Sequence, residues 1–130
     1  MMERSEVMRR VKAQDTRPEL RLRRHLREIG RPGYRLQRSD LPGRPDVAYI
    51  GRKRAIFVHG CFWHGHDCKR GARTPKTNAD YWRAKITRNR ARDEAAEAAL
   101  KAAGWRVLII WECQMKDETA LKARLRAFLD

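Results

Sequence analysis

The sequence lacks a long apolar run. Its longest, Val107 to Trp111, is far shorter than the roughly 20 residues that cross a bilayer, and Met1-Met2-Glu3-Arg4-Ser5-Glu6 puts charge where an export signal has an apolar stretch. Neither a membrane-spanning nor an exported protein is expected; a cytoplasmic one is. Acidic residues are scarce, with 16 Asp and Glu against 31 Lys and Arg in 130 residues, a formal charge of +15. That imbalance excludes acid-rich binding modules and favours a polyanionic partner. No basic amphipathic helix carries a clean Trp or Phe face, so nucleic acid is favoured over an anionic lipid surface. Cysteines number only three, an odd count without an export signal, which argues against a disulfide framework and for thiolate ligands or inert buried thiols. Internal repeats and low-complexity segments are absent. A chain of this length fits one domain.

What is present reads as alternating helices and strands. Thr16-Arg17-Pro18-Glu19 has the form of a helix start, with Thr16 as N-cap and Glu19 closing a capping box. Leu22, Leu26 and Ile29 then make a buried stripe that Gly30 ends. Arg31 to Arg44 reads as loop, and Pro45 to Ile50 as a strand that turns through Gly51-Arg52-Lys53-Arg54 into a second strand, Ala55 to His59. A two-residue hairpin loop would set Asp46 opposite His59; a three-residue loop would set it opposite Val58. A long helix is expected from about Ala79 to Ala103, stopped by Gly104, with Ile86, Asn89, Asp93, Ala96, Leu100 and Ala103 on one face. Trp105 to Trp111 reads as a buried strand, and Leu121, Leu125, Phe128 and Leu129 mark a terminal helix. The fold class expected is α/β, a mixed central sheet flanked by helices.

The loop Gly60 to Lys76 holds the densest chemistry. Cys61-Phe62-Trp63-His64-Gly65-His66-Asp67-Cys68 supplies two thiols and two imidazoles, and Cys113 supplies the third thiol at the end of the core strand. Soft thiolates with imidazole select zinc, and a closed Cys3His set is structural rather than catalytic. His66, between the two thiols, is preferred as the imidazole ligand over His64. Buried, inert cysteines are the alternative. A zinc deaminase is disfavoured, because His-x-Glu followed by Pro-Cys-x-x-Cys is missing.

Asp46 stands alone among prolines and arginines in Leu41-Pro42-Gly43-Arg44-Pro45-Asp46. Phosphodiester cleavage needs a metal to neutralise the phosphate, and Mg2+ is typically held by one or two carboxylates plus waters. Asp46 suits that role, although Asp also starts turns and caps. His59 is a general base by its ordinary pKa, or else a satisfied core histidine; His64 is either a second base or an alternate zinc ligand. Asp93 orients an imidazole, or pairs with Arg90 or Lys101 on an exposed helix face. Met8, Phe62 and Trp63 are core or zinc-shielding residues, or a wedge that unstacks a base step.

These segments resemble the very short patch repair (Vsr) mismatch endonucleases over nearly the whole chain. The residues that carry the resemblance are Met8 with Asp15-Thr16-Arg17-Pro18-Glu19, Leu41 to Asp46, Phe57 to His64, Asn89 to Asp93, Gly104 to Leu108, and Trp111-Glu112-Cys113. The resemblance implies a single-domain restriction-endonuclease-like fold over residues 1–130, with residues 1–15 a basic arm on DNA. It implies a magnesium-dependent nick 5′ of the thymine in a T:G mismatch arising from deaminated 5-methylcytosine. Asp46 would hold magnesium beside the backbone carbonyl of Val58, His59 and His64 would act on the metal-bound waters, and Asp93 would orient the site. Glu19 matches a helix-borne glutamate near that site, though the capping box explains it equally well. Cys61, His66, Cys68 and Cys113 would bind zinc, and Met8, Phe62 and Trp63 would form the wedge. A cytosine-5 DNA methyltransferase is the implied functional companion, mismatch-repair proteins are further partners, and a nucleoid-associated monomer is expected. Two other readings stay open: a nuclease of this fold with another DNA target, and a non-catalytic zinc module that binds damaged DNA.

Overall fold

The computed structural model describes residues 17–61 and 78–130. The expectations for residues 1–15, Met8, the Thr16 cap, Phe62, Trp63, His64, His66 and Cys68 lie outside the described residues. Element order is α1 (Arg17–Glu28), β1 (Arg35–Leu36), β2 (Val47–Tyr49), β3 (Arg54–His59), α2 (Ala79–Ala102), β4 (Arg106–Trp111), a short 3-10 helix (Glu112–Lys116) and α3 (Glu118–Leu129). The strands form one mixed sheet in the order β1-β2-β3-β4. The first two pairings are antiparallel, and β3 pairs with β4 in parallel, with α2 as the connection. The mixed α/β class is as expected.

Side chains alternate across the sheet and divide the core in two. Val47, Tyr49, Ile56 and Ile110 point to one face, where Leu22 and Leu26 of α1 and Leu121, Leu125 and Leu129 of α3 bury against them. Each fully buried Leu or Ile contributes roughly 1.5–3 kcal/mol. Ala48, Ala55 and Phe57 point to the other face and meet Leu100 of α2 and Trp105. The small side chains at 48 and 55 let α2 approach the sheet. Gly104, with φ +87, takes the left-handed conformation that stops the helix, as its position predicted.

Three expectations need correction. The hairpin pairs Val47 with Ile56, Ala48 with Ala55 and Tyr49 with Arg54, so its loop is the four residues 50–53. Continued by one pair, that register sets Asp46 opposite Phe57, not opposite His59 or Val58. Lys53 at φ +55 closes the turn and makes room for the extra loop residue. Ala103 is exposed rather than on the inward stripe, because α2 ends at Ala102. The segment expected as loop from Arg31 to Arg44 contains the edge strand β1, two exposed residues that form a strand only by pairing with β2.

The hairpin is also tied to the end of α3. Arg52 donates to the Leu129 carbonyl at 2.6 Å and Arg54 to the Phe128 carbonyl at 3.3 Å, satisfying helix-end acceptors that have no partner within the helix. On the other side, the loop before β2 touches α2 closely. A Cβ on Gly43 would stand 2.5 Å from the Ala96 Cβ, and φ at Gly43 is +72, so only glycine fits.

Candidate active site

Asp46 sits just before β2, at the end of the sheet where β3 finishes. Its Oδ2 accepts the Val58 backbone N–H at 2.6 Å. In an antiparallel pair a residue's N–H and C=O leave the strand by the same edge, so the Val58 carbonyl faces the Asp46 side as well. Asp46 thus meets the Val58 backbone through its N–H, in a register different from either expected one.

Glu19 reaches the same place from the first turn of α1. It is only 5% exposed, and its carboxyl lies close enough to Asp46 to raise the pKa of that carboxyl. Gln37 Nε2 donates to Glu19 Oε2 at 3.2 Å, and the Arg23 guanidinium lies 3.9 Å from the same oxygen. Burial, and then the Glu19 carboxyl beside it, push the Asp46 carboxyl up to about 7, while the Val58 N–H and Arg23 pull the other way. Two carboxyls beside a backbone carbonyl make a hard-oxygen donor set of the kind a divalent cation takes. Such a cation would offset both the burial and the repulsion.

His59 and Asp93 meet on the α2 face. His59 is buried, with Nδ1 3.9 Å from Asp93 Oδ2, and its ring lies 5.2 Å from that of Trp111. The parity of β3 explains the placement: Phe57 and His59 turn towards α2 while Ile56 and Val58 turn away. Of the two alternative partners for Asp93, Arg90 and Lys101, the second pairs with Glu97 at 2.6 Å. A cleft of about 530 Å³ opens here, lined by His59, Asp93, Asn89 and Arg92, with Phe57 and Ile109 among its apolar walls.

Cys61 and Cys113 are brought together by the sheet itself. The β3–β4 register pairs His59 with Trp111, an offset of 52 residues, and two residues further on the same offset links 61 to 113. Cys113 N–H donates to the buried Cys61 Sγ at 3.4 Å. Two of the four expected zinc ligands are thus adjacent, as soft donors with a backbone N–H to support a thiolate. Among the described residues, no group of three or more His, Cys, Asp or Glu is placed to hold a metal.

The sequence pointed to Asp46, His59, Asp93 and the thiols, and left Glu19 between cap and site. It missed Gln37 and Arg23. Arg23 was findable one helical turn from Glu19, whereas nothing in the sequence around Gln37 marks it.

Comparison with known proteins gives a consistent result. The family profile described as DNA mismatch endonuclease Vsr matches residues 1–70. The chain is 52% identical over 124 residues to the type II nicking enzyme V.XorIIP of Xanthomonas oryzae pv. oryzae, covering 95% of this chain and 90% of that protein. It is 41% identical over 118 residues to the DNA mismatch endonuclease Vsr of Escherichia coli, covering 91% and 74%. The type II nicking enzyme V.NmeAIP of Neisseria meningitidis is 38% identical over 124 residues, covering 94% and 86%.

Proposed function

The chain belongs to the Vsr family of DNA mismatch endonucleases, and from that premise we propose that it nicks the strand 5′ of the thymine in T:G mismatches left by deaminated 5-methylcytosine. The observation that supports the reading is the meeting of Asp46 and Glu19 at the Val58 backbone, one residue before His59, whose ring faces Asp93. A DNA-binding module that does not cut has no need of it. Residues 1–130 then form one restriction-endonuclease-like domain, with residues 1–15 an arm on the DNA.

Magnesium is the cation this donor set would take, held by Asp46 and the Val58 carbonyl with Glu19 beside them. When bound, it neutralises phosphate charge and makes water a better nucleophile. The protein's own part is to place and move protons. Asp93 lies 3.9 Å from His59 Nδ1, where its charge would favour the imidazolium, and Nε2 would take the proton of the attacking water. His64 would serve the leaving side. Zinc would be held by Cys61, His66, Cys68 and Cys113 as a structural clamp. Met8, Phe62 and Trp63 would form the wedge, which enters a T:G step more readily than a paired one because less stacking is lost. The charge of +15 grips the backbone whatever the sequence. A cytosine-5 DNA methyltransferase is the enzyme class whose product creates the lesion, and mismatch-repair proteins would act alongside.

A second reading of the target, another mismatch or sequence context, is favoured by the relatives named as nicking enzymes. Nicking of duplexes carrying each mismatch in varied contexts separates the two, and the proposal expects T:G to be cut fastest. Asp46→Ala is expected to abolish magnesium-dependent nicking while DNA affinity stays within a few fold; full activity would move the site elsewhere. Cys113→Ala is expected to lose zinc by metal analysis and to melt earlier, since structural zinc contributes on the order of 10 kcal/mol in small domains. A zinc-free wild-type protein purified without chelator would remove that assignment.

A further inference from the structure

Gln37 stands between two residues of the cleavage site without having been expected there. It follows the edge strand β1 with φ +48, in the left-handed region that a residue with a full side chain seldom occupies. Strain of this kind persists where the surroundings impose it, and it gathers at working sites. Here it lets one residue act in two directions. The Gln37 main-chain N–H donates to the Asp46 carbonyl at 3.3 Å, and its side-chain Nε2 donates to Glu19 Oε2 at 3.2 Å.

We infer that Gln37 is a positioning residue for DNA cleavage, fixing the Glu19 carboxylate of α1 against Asp46 at the head of β2. Glu19 comes from a helix and Asp46 from a strand, and Gln37 hydrogen-bonds to both. Arg23 lies 3.9 Å from the same Glu19 oxygen, beyond a directed hydrogen bond, whereas Gln37 Nε2 at 3.2 Å is within one. The amide is chemically suited to the task. It donates a hydrogen bond yet carries no charge, so it orients Glu19 without cancelling the negative charge a divalent cation requires. A lysine there would hold the carboxylate equally well and neutralise it.

The inference rests on Asp46 being the cleavage carboxylate, and its test separates the two claims. Gln37→Met keeps the length and backbone and removes the donor. Gln37→Gly relieves the dihedral, keeps the main-chain N–H and also removes the donor. Loss of such an outer hydrogen bond to a metal site costs about 10–100-fold in activity or metal affinity. Both variants are expected to lower kcat for T:G nicking by about tenfold or more, with KM for DNA within about twofold. Calorimetric titration with Mn2+ alone is expected to show affinity falling by a similar factor in Gln37→Met. Gln37→Gly is expected to melt no lower than wild type, so its loss of activity is not unfolding. In a Glu19→Gln background, Gln37→Met is expected to add little, because the group it positions is already altered. Wild-type kcat and Mn2+ affinity in Gln37→Met, with Asp46→Ala inactive, would overturn the positioning role and leave the site intact. Independent, multiplying effects of Gln37→Met and Glu19→Gln would overturn it too. Retained nicking in Asp46→Ala would instead overturn the reading on which it stands.

Discussion

Among the described residues, ten buried side chains from Leu22 to Leu129 make a continuous apolar core on the sheet face covered by α1 and α3. On the face covered by α2, five of the described residues form a second cluster, and the cleft at His59 and Asp93 lies beside it. The same strand serves both, with Ile56 and Val58 on the first face and Phe57 and His59 on the second. Stability is concentrated on the closed face, which leaves the α2 face free to carry polar groups that a sealed core would have to neutralise. The Asp46–Glu19 pair lies where the sheet ends, reached by α1 from the closed side.

The division can be broken most sharply at His59. His59→Ala is expected to slow nicking by about 10²–10⁴-fold, the usual worth of a general base, with little change in melting temperature. A large fall in melting temperature with activity intact would make His59 a core residue and erase the distinction between the faces. The converse test is Leu125→Ala on the closed face, expected to cost about 2–5 kcal/mol in denaturant unfolding while the folded fraction nicks normally.

A subtler test is Asp46→Asn. The fold raises the Asp46 pKa to about 7, so it favours the protonated form: the stability this brings is full below the ordinary carboxylate pKa and is lost as pH rises towards 7. Asn keeps an acceptor for the Val58 N–H and never ionises. In magnesium-free buffer at pH 8 the variant is expected to melt about 3 °C or more above wild type, and the gap is expected to close below about pH 4. An equal or lower melting temperature at pH 8 would mean that the carboxyl pair is not strained.

The smallest effect concerns a polar residue buried in the helix that covers the closed face. His25 is fully buried, with neither ring nitrogen hydrogen-bonded among the described residues, and burial lowers its pKa, with the Glu118 carboxylate opposing. The fold thus prefers neutral imidazole. Stability from this source is complete above the unfolded value near 6.5 and is lost as pH falls through 6.5 towards the lowered folded value. His25→Leu is expected to flatten the melting curve between pH 7 and 5. An unchanged slope would show that His25 binds protons equally in the folded and unfolded states.

Much of this was legible in the sequence, and the misses share a cause. The stripe of Leu22 and Leu26, the run from Pro45 to Ile50 and the Gly104 stop each depend on local pattern, and each formed near its expected place. The β1 strand, Arg35–Leu36, has no pattern to read, because its two exposed residues are a strand only through β2. The hairpin register failed for the related reason that loop length is set by how the strands pack, not by the turn residues alone. Glu19 was ambiguous because a carboxylate three residues after Thr16 satisfies a capping box as well as a site. Gln37 was invisible: its role comes from a backbone dihedral and from partners 18 and 9 positions away.

The parallel pairing of β3 with β4 has a kinetic consequence. The β2–β3 hairpin closes over four residues and is a local event, so Asp46 meets the Val58 backbone early in folding. The strand that brings Cys113 to Cys61 must wait for α2 to be made and folded back, because a parallel partner cannot be reached through a short turn. During synthesis the carboxylate half of the site is therefore assembled while Cys61 still waits for the strand that carries Cys113.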